Sequence, residues 1–144
     1  MFSDVTVSLQ TNEIEHFMIL PFLTIGPSDN RGRGVFTTED IAVDTIIEIS
    51  PVLVLSPEER VKVEQTLLFD YIFEWGDEMK GACVALGYVS VYNHSYAANC
   101  IYEMDFEHEL IQIKTVKPVK AGEELFINYN ADPDDTKPIW FEAT

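Results

Sequence analysis

Basic side chains are scarce in this chain. Nine Lys and Arg stand against 25 Asp and Glu, for a formal charge of −16 over 144 residues. Binding to a phosphate backbone needs clustered cations that release counterions, so direct recognition of DNA or RNA is disfavoured. The same field attracts a cationic protein or peptide and speeds its encounter. Cysteine is almost as sparse. Cys83 and Cys100 form no Cys-Xxx-Xxx-Cys pair, and together with His16, His94 and His108 they show no metal-ligand spacing. No metal is expected. Long apolar runs are also missing: the best, Phe17 to Ile25, is interrupted by Pro21 and falls short of the ~20 residues that cross a bilayer. Met1-Phe2-Ser3-Asp4 does not open like a secretory leader. The expectation is a reduced, cytoplasmic protein without a membrane segment.

What is present is enough to fold. A hydrophobic fraction of 47% and an aromatic fraction of 12% exceed those of a disordered acidic chain. A chain of this length suits one domain, 1–144, since folding at that size buries roughly two-thirds of the unfolded surface. Short β-rich runs dominate: Val5 to Leu9, Met18 to Ile25, Val35 to Thr38, Thr45 to Ile49 with Val52 to Leu55, Ala82 to Leu86, and Leu125 to Ile127. Gly26-Pro27-Ser28-Asp29-Asn30 is expected to turn, and Pro51 marks an edge or a bend. Ile101 to Phe106 and Leu110 to Thr115 alternate around Glu107-His108-Glu109, the pattern of a hairpin. One helix start stands out: Ser56-Pro57-Glu58-Glu59 offers an N-cap serine, proline at N1 and a glutamate able to close a capping box. The spacing of Val61, Gln65, Leu68 and Ile72 predicts a helix from Pro57 to about Leu68. The alternating Phe69-Tyr71-Phe73-Trp75 run is expected to be extended. The fold class is therefore mostly β, with one or two short helices.

Three local phrases carry chemistry. Gly32 and Gly34, interleaved with Arg31 and Arg33, mark a segment whose main chain can approach a ligand closely. Neither a third glycine nor a helix follows, so this is not a dinucleotide-binding loop. Asn93-His94-Ser95 taken alone is a polar loop; adjacent His94 and Ser95 cannot easily face each other as a hydrolase pair, and no Gly-Xxx-Ser-Xxx-Gly elbow exists. Gly122-Glu123-Glu124-Leu125-Phe126-Ile127-Asn128-Tyr129 closes the set. Its adjacent carboxylates face opposite sides and are no glycosidase pair. They are expected at a turn, shaping the approach of a substrate.

In this order the three phrases resemble the SET-domain methyltransferase family, over a motif core of about 22–129. The resemblance implies small sheets around a threaded C-terminal segment, S-adenosylmethionine as cofactor, and methyl transfer to a lysine amine in a basic protein or peptide. It assigns cofactor contacts to Arg31, Gly32, Arg33, Asn93, His94, Tyr129 and Trp140, and catalysis to Tyr129. Asn99 would complete the threaded crossing, although Tyr96-Ala97-Ala98-Asn99 replaces the Cys-Xxx-Pro-Asn frequent in relatives. No cysteine follows Cys100, so the zinc-binding segment of many relatives is not expected; the aromatic tail 130–144, with Trp140 and Phe141, would cover the adenine instead. Lysine has a solution pKa of about 10.4, so desolvation beside a sulfonium must favour its neutral form. Tyr71, Tyr88 and Tyr92 are candidates for the channel that does this, each with a place in the core as the alternative. Other outcomes are a non-catalytic acidic module that binds basic proteins, or a methyltransferase acting on a non-protein amine. A homodimer is compatible with the sequence.

Overall fold

The computed structural model describes residues 16–129. Short strands prevail, as the β-branched runs require: β1 (Met18–Ile19), β2 (Leu23–Ser28), β3 (Gly32–Thr37), β4 (Ile46–Leu55), β5 (Ile72–Trp75), β6 (Gly81–Ala85), β7 (Asn93–His94), β8 (Cys100–Asp105), β9 (Leu110–Thr115) and β10 (Glu124–Ile127). They form two sheets. One has the order β5-β6-β4-β9-β8, with β1 also on β4; the other has the order β2-β3-β10-β7. Between and around them the buried side chains form one cluster, in which Val35, Ile47, Ile111, Ile113, Leu125 and Ile127 are fully covered.

The second sheet decides where the motifs meet. β10 lies between β3, antiparallel to it through Leu125 and Val35, and β7, parallel to it through Phe126 and Asn93. Asn99 braces this crossing as a second backbone would: its side chain accepts from Phe126 N at 2.8 Å and donates to Glu124 O at 3.0 Å. Three phrases remote in sequence thus become neighbours, as the threaded arrangement demands.

Several local expectations are corrected. Gly26, Pro27 and Ser28 do not turn but continue β2, pairing with Gly34, Arg33 and Gly32, so the turn is confined to Asp29–Arg31. Asn30 takes the left-handed conformation there (φ 59°), which asparagine tolerates. Pro51 lies in a central strand. It stands where β4 changes partners, residues 46–51 pairing with β9 and 52–55 with β6, so its missing N–H falls at the handover. The helix, α1, is Pro57–Val63 rather than reaching Leu68. The capping box forms as expected, but no residue of α1 is buried and Val61 is 56% exposed. Without an apolar face to bury, propensity sustains only two turns. The aromatic run divides, Leu67–Tyr71 forming a 3-10 turn and Ile72–Trp75 the strand β5. The Val5 to Leu9 run and the tail with Trp140 and Phe141 lie outside the described residues.

Candidate active site

The turn that joins β2 to β3 delivers Arg31, Gly32 and Arg33 to one end of the second sheet. Gly32 adopts φ +73°, where a side chain would be strained. The Arg31 guanidinium stacks 5.3 Å over the Phe126 ring and donates to His94 O at 2.9 Å, which ties the turn to β7.

β7 presents Asn93 and His94. The Asn93 amide nitrogen donates to Arg33 O at 3.0 Å and to a carboxylate oxygen of Glu124 at 2.8 Å. His94 is buried, and its Nδ1 accepts the main-chain N–H of Tyr129 at 3.0 Å. The ring must therefore carry its proton on Nε2, a buried atom with no partner among the described residues. Burial, reinforced by the charge of Arg31, lowers the His94 pKa, so the neutral form that holds Tyr129 is the native one.

Tyr129 follows β10. Its hydroxyl donates to Tyr92 O at 2.8 Å, and its carbonyl accepts from the Tyr102 hydroxyl at 3.1 Å. Burial pushes the phenol up to about 12, against a smaller downward pull from Arg31. Tyr129 is thus a neutral phenol at pH 7 whose proton is committed to a carbonyl. It is no general base; a phenol oxygen can also accept, from an N–H or a polarised C–H.

These groups share a cleft of about 350 Å³, lined by Arg31, Gly32, Arg33, Asn93 and Tyr129, with Asp70 and Tyr71 on a further wall. Tyr129 also borders a narrow recess with Tyr71, Ile72, Phe73 and Ser90. A second cleft, about 360 Å³, shares Arg31 and is lined by Ser28, Ser95, Glu124 and Phe126. The main-chain oxygens, the Asn93 amide and the flat faces of Phe126 and Tyr129 are donors, acceptors and stacking surfaces of the kind that hold an amino acid joined to a nucleoside.

The structure therefore brings together Arg31, Gly32, Arg33, Asn93, His94 and Tyr129; Trp140 lies outside the described residues. Of the channel candidates, Tyr71 lines the cleft. Tyr92 does not: it is fully buried, and its hydroxyl donates to Glu48 at 2.9 Å. One acid is placed differently from the expectation and another was not foreseen. Glu124 opens a strand instead of sitting in a turn, and bonds Asn93 and Ser28. Glu48 is fully buried and also accepts from Ser50 Oγ at 2.6 Å and Tyr88 N at 2.7 Å. Desolvation raises its pKa against the pull of these bonds. The signal for Glu48 was in the sequence: a lone acid flanked by isoleucines in a strand must find partners inside.

The SET domain family model matches residues 32–130. The chain belongs to the SET-domain family. The chain is 37% identical over 121 residues to the H3 lysine-37 specific histone-lysine N-methyltransferase of Schizosaccharomyces pombe, covering 83% of this chain and 77% of that protein. Among solved structures, a Plasmodium falciparum protein assigned provisionally as a histone methyltransferase superposes with TM-score 0.61 at 28% identity, over 77% of this chain and 95% of that one. A chain of the Chaetomium thermophilum polycomb repressive complex 2 superposes with TM-score 0.64 at 28% identity, over 78% of this chain but only 15% of that one. The same complex has been solved bound to S-adenosylmethionine, with TM-score 0.64 at 26% identity over 76% of this chain and 15% of that one. SET domains of this kind are protein-lysine methyltransferases that use S-adenosylmethionine, and the mostly β fold is theirs.

Proposed function

We propose that this SET domain binds S-adenosylmethionine across the clefts around Arg31 and methylates a lysine side chain in a basic protein segment, of the kind found in histone tails. The observation that carries this reading is the convergence of Arg31, Gly32, Arg33, Asn93 and Tyr129 on one cleft. The cofactor supplies a methyl group on a sulfonium. When bound, held by Arg31, Gly32, Arg33 and Asn93, it would give that methyl to the amine nitrogen, the C–S electron pair staying on sulfur.

The chain's own groups do the rest. The lysine arrives as an ammonium, drawn by the acidic surface and by Asp70 beside the cleft, and must shed its proton to water before it can attack. The recess formed by Tyr71, Phe73 and Tyr129 desolvates it, which favours the neutral amine. Tyr129, fixed by its bond to Tyr92 O, keeps its oxygen aimed by a rigid strand end, so the amine meets a set position instead of mobile solvent. Cys83 and Cys100 are free, buried thiols, both pushed up to about 12 by burial, which suits a reducing intracellular setting.

The test is calorimetric titration with S-adenosylmethionine and S-adenosylhomocysteine on the wild type and on Asn93→Ala. Saturable binding that the substitution weakens is expected, followed by methyl incorporation into a basic peptide. A folded wild type that binds neither compound, with and without the peptide, would sink the reading.

A further inference from the structure

Asn93 faces two groups that can only accept hydrogen bonds, the Arg33 carbonyl and the Glu124 carboxylate, at 3.0 and 2.8 Å. The atom between them must be the amide nitrogen, because an oxygen there would meet two acceptors. Asn93 Oδ1 receives no donor among the described residues and is left for the cleft that Asn93 lines.

The carboxylate that enforces this is itself fixed. Ser28 Oγ donates to its other oxygen at 2.7 Å, the length of a charge-assisted bond, so both oxygens of Glu124 are engaged. The crossing from β10 to β7 passes over Gly34. A Cβ at that position would run into the Glu124 carboxylate and come within 2.9 Å of the Asn93 amide nitrogen. Gly32, by contrast, has open space and serves conformation. Both of these side-chain partners of Glu124 are neutral.

We infer that Glu124 is a positioning residue, which turns the Asn93 amide so that Oδ1 meets the cleft and thereby selects a cofactor carrying a protonated α-amino group. This rests on the cofactor reading above. Without Glu124 the Arg33 carbonyl alone would hold the amide nitrogen, at the longer 3.0 Å, and in the rotated amide a nitrogen facing an ammonium repels it. With the amide locked, the cleft offers an acceptor to a donor.

The readout is therefore the contribution of that amino group and not affinity alone. Calorimetry compares S-adenosylhomocysteine with its analogue lacking the α-amino group, on wild type, Glu124→Ala and Glu124→Gln, with melting curves for each. Wild type should bind the parent compound more tightly. Glu124→Ala should cut that preference by about tenfold, the scale of one hydrogen bond to a charged group, with the larger loss falling on the parent compound and the smaller on the analogue. Glu124→Gln still offers an oxygen to Asn93 and should restore most of the preference; Glu124→Ser replaces Glu124→Ala, with the same expectation, if the latter does not fold. Wild-type binding with a preference unchanged in Glu124→Ala, or an equal loss for both ligands, overturns this inference alone. A glutamine as poor as alanine overturns it as well, since charge and not orientation would then be at work. A folded wild type that binds neither ligand overturns the cofactor reading, and this inference with it.

Discussion

Tyr129 and His94 form a unit in which each holds the other's useful state. The His94 ring accepts the Tyr129 N–H, the two rings lie 5.1 Å apart, and the phenol is left neutral with its proton on Tyr92 O. Tyr129→Phe removes only the oxygen. We expect kcat to fall by about 10²-fold or more with the S-adenosylmethionine affinity little changed, since a preorganised dipole acts on the transition state; single-turnover assays beside calorimetry check it. His94 leads to a prediction in pH. Its folded pKa lies below the unfolded value of about 6.5, so its contribution to stability is complete above that pH and is lost as pH falls through the folded value. Urea midpoints should drop between pH 7.5 and 5.5. His94→Gln, which cannot take a proton, should flatten that slope, and an unchanged slope would contradict the assignment.

Among the elements, β4 carries the least obvious device. Glu48 reaches from this central strand to Ser50, to the Tyr92 hydroxyl and to the N–H of Tyr88, and so pins the segment from Tyr88 to Tyr92, whose last carbonyl receives the Tyr129 hydroxyl. Gly87, at φ +70°, leaves room for this carboxylate. Glu48→Ala strands several buried partners and should cost about 3 kcal/mol or more in denaturant unfolding, whereas Glu48→Gln, which keeps an acceptor, should cost less. The sign with pH is opposite to that of His94. A raised carboxyl pKa contributes stability that is complete below the unfolded value of about 4.3 and is lost as pH rises through the folded one. Glu48→Gln should remove that loss. The helix α1 is held differently, by Arg60, which donates to Glu64, Glu74 and the carbonyls of Met79 and Gly81 instead of packing an apolar face.

At the scale of the whole molecule, the charge of −16 sets the encounter with substrate. Methylation of a lysine-rich peptide should lose kcat/KM by about tenfold or more between 50 and 500 mM NaCl, mostly through weaker association, because the screening length shrinks from above 10 Å to a few ångströms. A rate insensitive to salt would assign the acidic surface to solubility alone. The same scale separates what could be read from the chain and what could not. Local signals were legible where the physics is local: the capping box of Ser56 and Glu59, the β8–β9 hairpin, the β-branched strands, and the three phrases whose order resembled a family. The length of α1 was misjudged because apolar spacing predicts a face only if something buries it, and none of the described residues does. Pro51 was read as an edge or bend because a sequence does not reveal where a strand changes partners. Glu124 was read as a turn residue because its role exists only once β10 lies between β3 and β7. The sequence by itself determined the fold class, the acidic character and the residue types available to bind a cofactor, since propensity, net charge and motif order are properties of neighbours along the chain. Only the tertiary structure decided which way Asn93 faces, which nitrogen of His94 carries the proton and why Tyr129 stays neutral, because each is set by burial and by partners remote in sequence that only folding brings within hydrogen-bond distance.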